Sequence, residues 1–165
     1  FSLLHSIFWL MFSRETCEVI SEIWPMNFDI KIIETSEEAQ WCLFIRRQVF
    51  IIGQNIPESI EMDDHKIDAI YYLATLAGKP VGTARYRKSS DGIKLERFAV
   101  LESARKLGVG SALVDFVLKD LKDEKTIYLN AQESVITFYK KLGFDSVGNI
   151  FYEAEIPHQK MVYSG

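Results

Sequence analysis

Cysteine is scarce in this chain. Its 165 residues hold two, Cys17 and Cys42, in neither a Cys-x-x-Cys nor a Cys/His spacing. That excludes a disulfide framework and a zinc site read from sequence, and it fits a reducing, cytoplasmic compartment. The three histidines, His5, His65 and His158, are scattered without metal-ligand spacing, so no metal is expected. Basic charge is not in excess: 19 Lys and Arg stand against 23 Asp and Glu, a net charge of −4. A nucleic-acid partner would need a basic face, and none is expected. No uninterrupted apolar run approaches the ~20 residues that cross a bilayer. No repeat, low-complexity tract or Pro/Gly/Ser linker divides the chain.

What is present suits one folded domain. The length allows a single proper core, and 48% hydrophobic with 25% charged residues is ordinary for a globular protein. Residues 1–12 are strongly apolar, but the first arginine, Arg14, follows them, whereas a secretory signal has its basic region in front. Residues 1–25 therefore read as an appendage, with Met26 a sensible start for a domain over 26–165. The alternative is an added amphipathic helix with Leu3, Leu4, Phe8 and Met11 on one face.

Along the domain, residues 29–34 alternate as a short strand. Thr35 and Glu38 then stand at the spacing of a capping box. The helix they open should run through Trp41, Phe44, Ile45 and Val49, apolar at helical spacing, and end near Gly53. Residues 53–68, with Pro57, read as a loop holding a short helix. Strands are expected at 69–77, 81–88 and 93–100, joined by Gly-Lys-Pro and Ser-Ser-Asp-Gly turns. Tight turns make these an antiparallel meander. A helix over 108–121 carries its apolar face on 109, 113, 114, 117, 118 and 121. A strand at 126–132, a helix at 134–142 closed by Gly143, and one or two strands around Pro157 complete an α+β order. The strand–helix–strand unit over 93–132 requires its two strands to be parallel.

The informative segment is Arg105, Lys106, Leu107, Gly108, Val109, Gly110 and Ser111, at a strand-to-helix junction. Two glycines let a ligand approach the backbone closely. The helix start offers unpaired N–H groups and the positive end of its dipole, a seat for a pyrophosphate. A Walker A loop would need Lys after its last glycine, and a dinucleotide fingerprint would need Gly at 113, where Leu stands. A glycine-bearing helix start without a ligand remains the plain alternative.

Arg-x-x-Gly-x-Gly after an antiparallel meander resembles the coenzyme A-binding motif of the GNAT superfamily of N-acetyltransferases, (Arg/Gln)-x-x-Gly-x-(Gly/Ala). Leu-Glu-Arg-Phe-Ala-Val at 95–100 resembles the strand before that motif, and Phe-Tyr-Lys-Lys-Leu-Gly-Phe at 138–144 the helix ending in Tyr and Gly-Phe. The stretches 47–54, 82–85 and 129–132, and 153–158 with Met161, resemble the ElaA/YjcF-like branch. The resemblance spans residues 27–163. It implies a mixed central sheet (antiparallel meander plus a parallel strand pair) flanked by helices. It also implies acetyl-coenzyme A as co-substrate, a small-molecule or peptide amine as acceptor, and a possible homodimer. A module that holds coenzyme A without catalysing transfer, and a donor with a bulkier acyl group, are the alternatives.

The same resemblance implies roles. The backbone N–H of Val100 would bond the acyl carbonyl, with Phe98 and Ala99 beside the pantetheine and Gln132 where an Asn commonly touches it. Tyr139 resembles the general acid that protonates the thiolate, or is a packing tyrosine. Glu96 is a candidate base, or an ion-pair partner of a neighbour such as Arg85. Strand alternation would place it on one face with Phe98 and Val100. His158 resembles the branch's Pro-His element near the acceptor, as base or ligand, or it fixes a turn. The chain departs from the branch at Gly53, where a Glu is frequent, and at Lys106, where Gly is common. Asp63, Asp64, His65 and Asp68 read as a solvated acidic loop rather than a metal cluster.

Overall fold

The computed structural model describes residues 28–62 and 68–165. The expectations for residues 1–25 and for Asp63, Asp64 and His65 lie outside these.

Strand β1 (Phe28–Ile32) leads into helix α1 (Ser36–Arg46) through the anticipated capping box. The Glu38 N–H donates to Thr35 Oγ1 (3.2 Å), and Glu38 Oε2 accepts from the Thr35 N–H (3.1 Å) and the Glu34 N–H (2.7 Å). Those two backbone donors and the neighbouring Lys31 hold the Glu38 carboxyl down at about 2. The helix then widens into a π-helical segment, Arg47–Ile52, ending at Gly53. Its buried stripe is Cys42, Ile45, Arg46 and Val49, while Trp41 and Phe44 are 40% and 44% exposed. Of the four residues that set the apolar spacing, Ile45 and Val49 are buried and Trp41 and Phe44 are not, while Arg46 joins the buried stripe.

A one-turn helix, α2 (Glu58–Glu61), follows Pro57. The meander is β2 (Ile70–Leu76), β3 (Lys79–Ser89) and β4 (Gly92–Val100), all antiparallel. Helix α3 (Val109–Asp120) crosses over to β5 (Ile127–Gln132), which pairs parallel with β4. A 3₁₀ turn, Glu133–Val135, opens the short helix α4 (Ile136–Lys140), which is briefer than the apolar pattern over 134–142 suggested. The chain ends in β6 (Phe144–Glu153) and β7 (Ile156–Tyr163), an antiparallel hairpin. Ala154 and Glu155, both at positive φ (49° and 62°), make its two-residue turn. The seven strands lie in the order β1-β2-β3-β4-β5-β7-β6.

The main core packs Val109, Leu113, Val114 and Val117 of α3 against Tyr72, Leu95, Leu129 and Met161 of the sheet. A smaller core on the other side joins α1 to Leu73 and Ala99. Helices thus cover both faces of one sheet, each contributing an apolar stripe. No helix among the described residues is long and apolar enough to cross a membrane.

Candidate active site

The site begins where the central sheet comes apart. β4 and β5 pair over only three positions, Ile93 with Ile127, Lys94 with Tyr128, and Leu95 with Leu129. Just beyond, Arg85 faces Glu96 and Thr83 faces Ala99, so Arg97 and Phe98 together oppose Ala84. This is a β-bulge, and Arg97 takes φ 59° within it. The bend draws β4 away from β5 and opens a cleft, with Phe98, Ala99 and Val100 on one wall and Asn130, Ala131 and Gln132 on the other.

The extra residue also reverses which face the following side chains occupy. Ile93, Leu95, Phe98 and Val100 all face the α3 core, whereas Ala99 belongs to the α1 core. The expectation that Glu96 shares a face with Phe98 and Val100 is therefore corrected: Glu96 lies on the α1 side. Strict alternation fails because the bulge inserts one residue into the period of two.

At the far end of β4 the Leu101 N–H donates to Val81 O at 2.9 Å. Successive strand N–H groups point to opposite edges, so the N–H of Val100 points into the cleft, away from β3. Next to it lies the glycine segment. Gly108 is the left-handed residue preceding α3 (φ 88°), and Lys106 is also at positive φ (64°). The first intrahelical bond there runs from the Ala112 N–H to Gly108 O. The N–H groups of Val109, Gly110 and Ser111 therefore have no partner in the helix. A Cβ at Gly110 would lie 3.5 Å from Phe138 and 4.0 Å from Val100, so this glycine's bare face opens on the cleft. Arg105, exposed, donates from Nε to Val100 O at 3.3 Å and ties the segment to the cleft wall. Val109 is buried and Leu107 packs on the core, which leaves only their backbone to a ligand. Free N–H groups, a helix dipole and a basic rim match the demands of a pyrophosphate.

Tyr139 is buried behind the same wall, ringed by Phe138, Phe98 and Phe144 at centroid distances of 5.0, 6.3 and 5.7 Å. Burial pushes its hydroxyl pKa well above the usual phenol value, so it is a proton holder throughout the neutral range.

The α1 side of the cleft is polar. Gln132 donates from Nε2 to Gln54 Oε1 (2.8 Å), bridging β5 to the segment after α1. That places its amide on the α1 side, opposite its buried neighbours Leu129 and Ala131. Asn130 donates to Glu153 at 2.9 Å. His158 sits opposite Gln132 in the β5–β7 ladder and stacks on Phe151. Its Nδ1 lies 2.8 Å from Ile156 O. A carbonyl only accepts, so Nδ1 carries a proton, and in the neutral imidazole the lone pair is then on Nε2. Glu96 receives Arg87 Nε at 2.7 Å and Arg85 Nη2 at 3.3 Å, with Lys94 Nζ at 3.8 Å.

Sequence reasoning missed a buried ionic group beside the bulge. Glu61, 2% exposed, takes Arg46 Nε at 2.7 Å on one oxygen and Arg97 Nε at 3.1 Å on the other. The Arg46 Nη2 also donates to Glu61 O at 2.6 Å. A charged residue within the apolar stripe of α1 was the available signal. Among the described residues no cluster of His, Cys, Asp and Glu could hold a metal ion.

This arrangement has counterparts. Residues 34–164 match the acetyltransferase (GNAT) domain. The chain is 33% identical over 134 residues to the uncharacterized N-acetyltransferase YjcF of Bacillus subtilis (strain 168), covering 79% of this chain and 96% of YjcF. It is 32% identical over 123 residues to protein ElaA of Escherichia coli (strain K12), covering 70% of this chain and 80% of ElaA. The crystal structure of E. coli ElaA superposes with a TM-score of 0.73 at 27% identity, over 84% of this chain and 100% of that one. An acyl-CoA N-acyltransferase from Pseudomonas aeruginosa superposes at 0.72 with 25% identity, over 84% and 99%. With the family spanning four-fifths of its length, the chain belongs to the GNAT acetyltransferases, in the ElaA/YjcF-like branch, and is an acyltransferase.

Proposed function

We propose that the protein transfers the acetyl group of acetyl-coenzyme A to a primary amine of a small molecule or peptide by direct attack. The observation that carries this reading is the splayed β4–β5 junction, which turns the Val100 N–H into a cleft that continues into the glycine segment before α3. When bound, acetyl-coenzyme A supplies the activated acyl carbonyl and the thiol leaving group. The residues at 105–111 hold its pyrophosphate, and Phe98, Ala99 and Val100 lie along its pantetheine arm. The Val100 N–H is a fixed dipole for the carbonyl oxygen as negative charge develops there.

A neutral amine forms the C–N bond while the C–S bond breaks. The amine then carries one proton too many, and the sulfur lacks one. His158 Nε2, its lone pair set free by the Nδ1 bond to Ile156 O, takes the first. Tyr139, which burial keeps protonated at neutral pH, supplies the second as negative charge gathers on the sulfur. Glu96 is the less apt base, because Arg85 and Arg87 already occupy its Oε1.

The test is calorimetric titration of the full chain with acetyl-coenzyme A, beside a Gly110→Trp variant whose indole would fill the space toward Phe138 and Val100. Micromolar binding lost in the variant supports the seat, and coenzyme A release with an amine panel then tests transfer. No binding to folded protein would sink the reading. Binding without turnover on any amine would favour a coenzyme A-binding module instead.

A further inference from the structure

The α1 side of the cleft has a charge arrangement that folding alone does not favour. Arg87 and Lys94 are directly opposite each other in the β3–β4 ladder, on the same face as Glu96. Like charges at facing positions of an antiparallel pair destabilise it. Both side chains line the cleft. The carboxylate near them among the described residues is Glu96, and they do not share it equally. Arg87 reaches it through Nε at 2.7 Å, while Lys94 Nζ stays at 3.8 Å, beyond hydrogen-bond length. Arg85, fully buried, engages the same carboxylate at 3.3 Å, so Glu96 does not balance these two cations by itself. The side chains of Lys94, 17% exposed, and Arg87, 30% exposed, are both part of the cleft lining. The protein as a whole is acidic, at −4, so this positive spot runs against its average charge.

We infer that Arg87 and Lys94 form an anion subsite for the acceptor, and that the amine acetylated here belongs to a molecule that also carries a carboxylate or phosphate group. The inference rests on the acetyl-transfer reading above and narrows its substrate class. An anion between the two cations relieves their repulsion and anchors the acceptor on the α1 side, opposite the face where Phe98 and Val100 line the cleft.

The experiment pairs acceptors that differ only in the anionic group, with coenzyme A release as readout. Short peptides are set against their C-terminal amides, and phosphorylated amines of graded chain length against their unphosphorylated parents, because Lys94 stands six positions before Val100 along β4. The two arms separate a carboxylate from a phosphate. The expected result is a kcat/KM preference for the anionic member in at least one arm, falling about ten- to hundredfold toward parity in Arg87→Gln and Lys94→Gln. Acetyl-coenzyme A affinity, measured by calorimetry in each variant, checks that the fold and donor seat survive. Lys94→Gln should also unfold at a temperature no lower than the parent, since it removes a repulsion. Preference for the uncharged members, turnover confined to them, or an anionic preference that both variants retain would each overturn the inference. So would acetyl-coenzyme A binding with no turnover of any anionic amine. Failure of acetyl-coenzyme A to bind at all would instead strike the acetyl-transfer reading.

Discussion

Replacing Glu61 by Ala should strip a buried guanidinium of its carboxylate and cost much of the domain's stability. Its carboxylate meets two cations, Arg46 at 2.7 Å and Arg97 at 3.1 Å, and the side chains of Glu61 and Arg46 are each 2% exposed. Removing the acid leaves the Arg46 guanidinium buried without that carboxylate, a class of change that costs about 3–5 kcal/mol. The bond from Arg46 Nη2 goes to the backbone carbonyl of residue 61 and survives, which argues for the lower end of the range. Arg97, 27% exposed, adds less than about 1 kcal/mol. The expected loss is thus roughly 3–4 kcal/mol, against a total of about 5–15 kcal/mol for a domain of this kind. In urea the midpoint should fall with the slope unchanged, and the melting temperature should drop by about 6–16 °C. A double variant, Arg46→Met with Glu61→Leu, removes both charges and should recover most of the loss. A drop under about 2 °C in Glu61→Ala, or a double variant as unstable as the single one, would refute the buried-charge reasoning.

Tyr139→Phe should lower kcat by about 10²- to 10⁴-fold while acetyl-coenzyme A affinity holds, as removal of a general acid requires; equal loss in both would mark it as packing alone. Gly108→Ala places a side chain at φ 88° and should cost about 1 kcal/mol by thermal unfolding while weakening acetyl-coenzyme A binding. Thr35→Ala removes the acceptor for the Glu38 N–H and should also cost about 1 kcal/mol in the same assay. The Glu38 carboxyl sits at about 2 when folded, below its ordinary 4.5, so its contribution is present above pH 4.5 and disappears as pH falls from there toward 2. Glu38→Gln should flatten that part of an acid-unfolding curve and leave the neutral region's slope unchanged.

Much of this fold is legible in the chain because its signals are local. Thr35 and Glu38 mark a helix start by spacing, Gly108 and Gly143 mark backbone turns, and the meander follows from tight connections. The glycine segment at 105–111 is legible for the same reason, since an anion seat at a helix start needs only neighbours in sequence. The bulge at Arg97 is not local. Arginine is no marker of positive φ, and its conformation is set by the register of β4 against β3. One unreadable residue therefore put Glu96 on the face opposite Phe98 and Val100 and hid the division of the cleft into an α3 side and an α1 side. Arg46 and Glu61 were hidden likewise, because each justifies the other's burial and they stand fifteen positions apart. Trp41 and Phe44 marked the helix correctly and are nonetheless exposed: an apolar residue at helical spacing need not be inside.

The three-position seam between β4 and β5 divides the sheet into two ladders, one of four strands and one of three. Each ladder is internally continuous and the seam is the shortest pairing in the sheet, so there the two halves, like the covers of a book, hold each other least. Exchange of backbone amides with solvent deuterium should be slow through the middles of both ladders and faster at those amides of 93–95 and 127–129 that bridge the two. A donor molecule lying between the covers would act as a binding thread. Its arrival should slow exchange on both sides at once, making the spine of the sheet a direct gauge of occupancy.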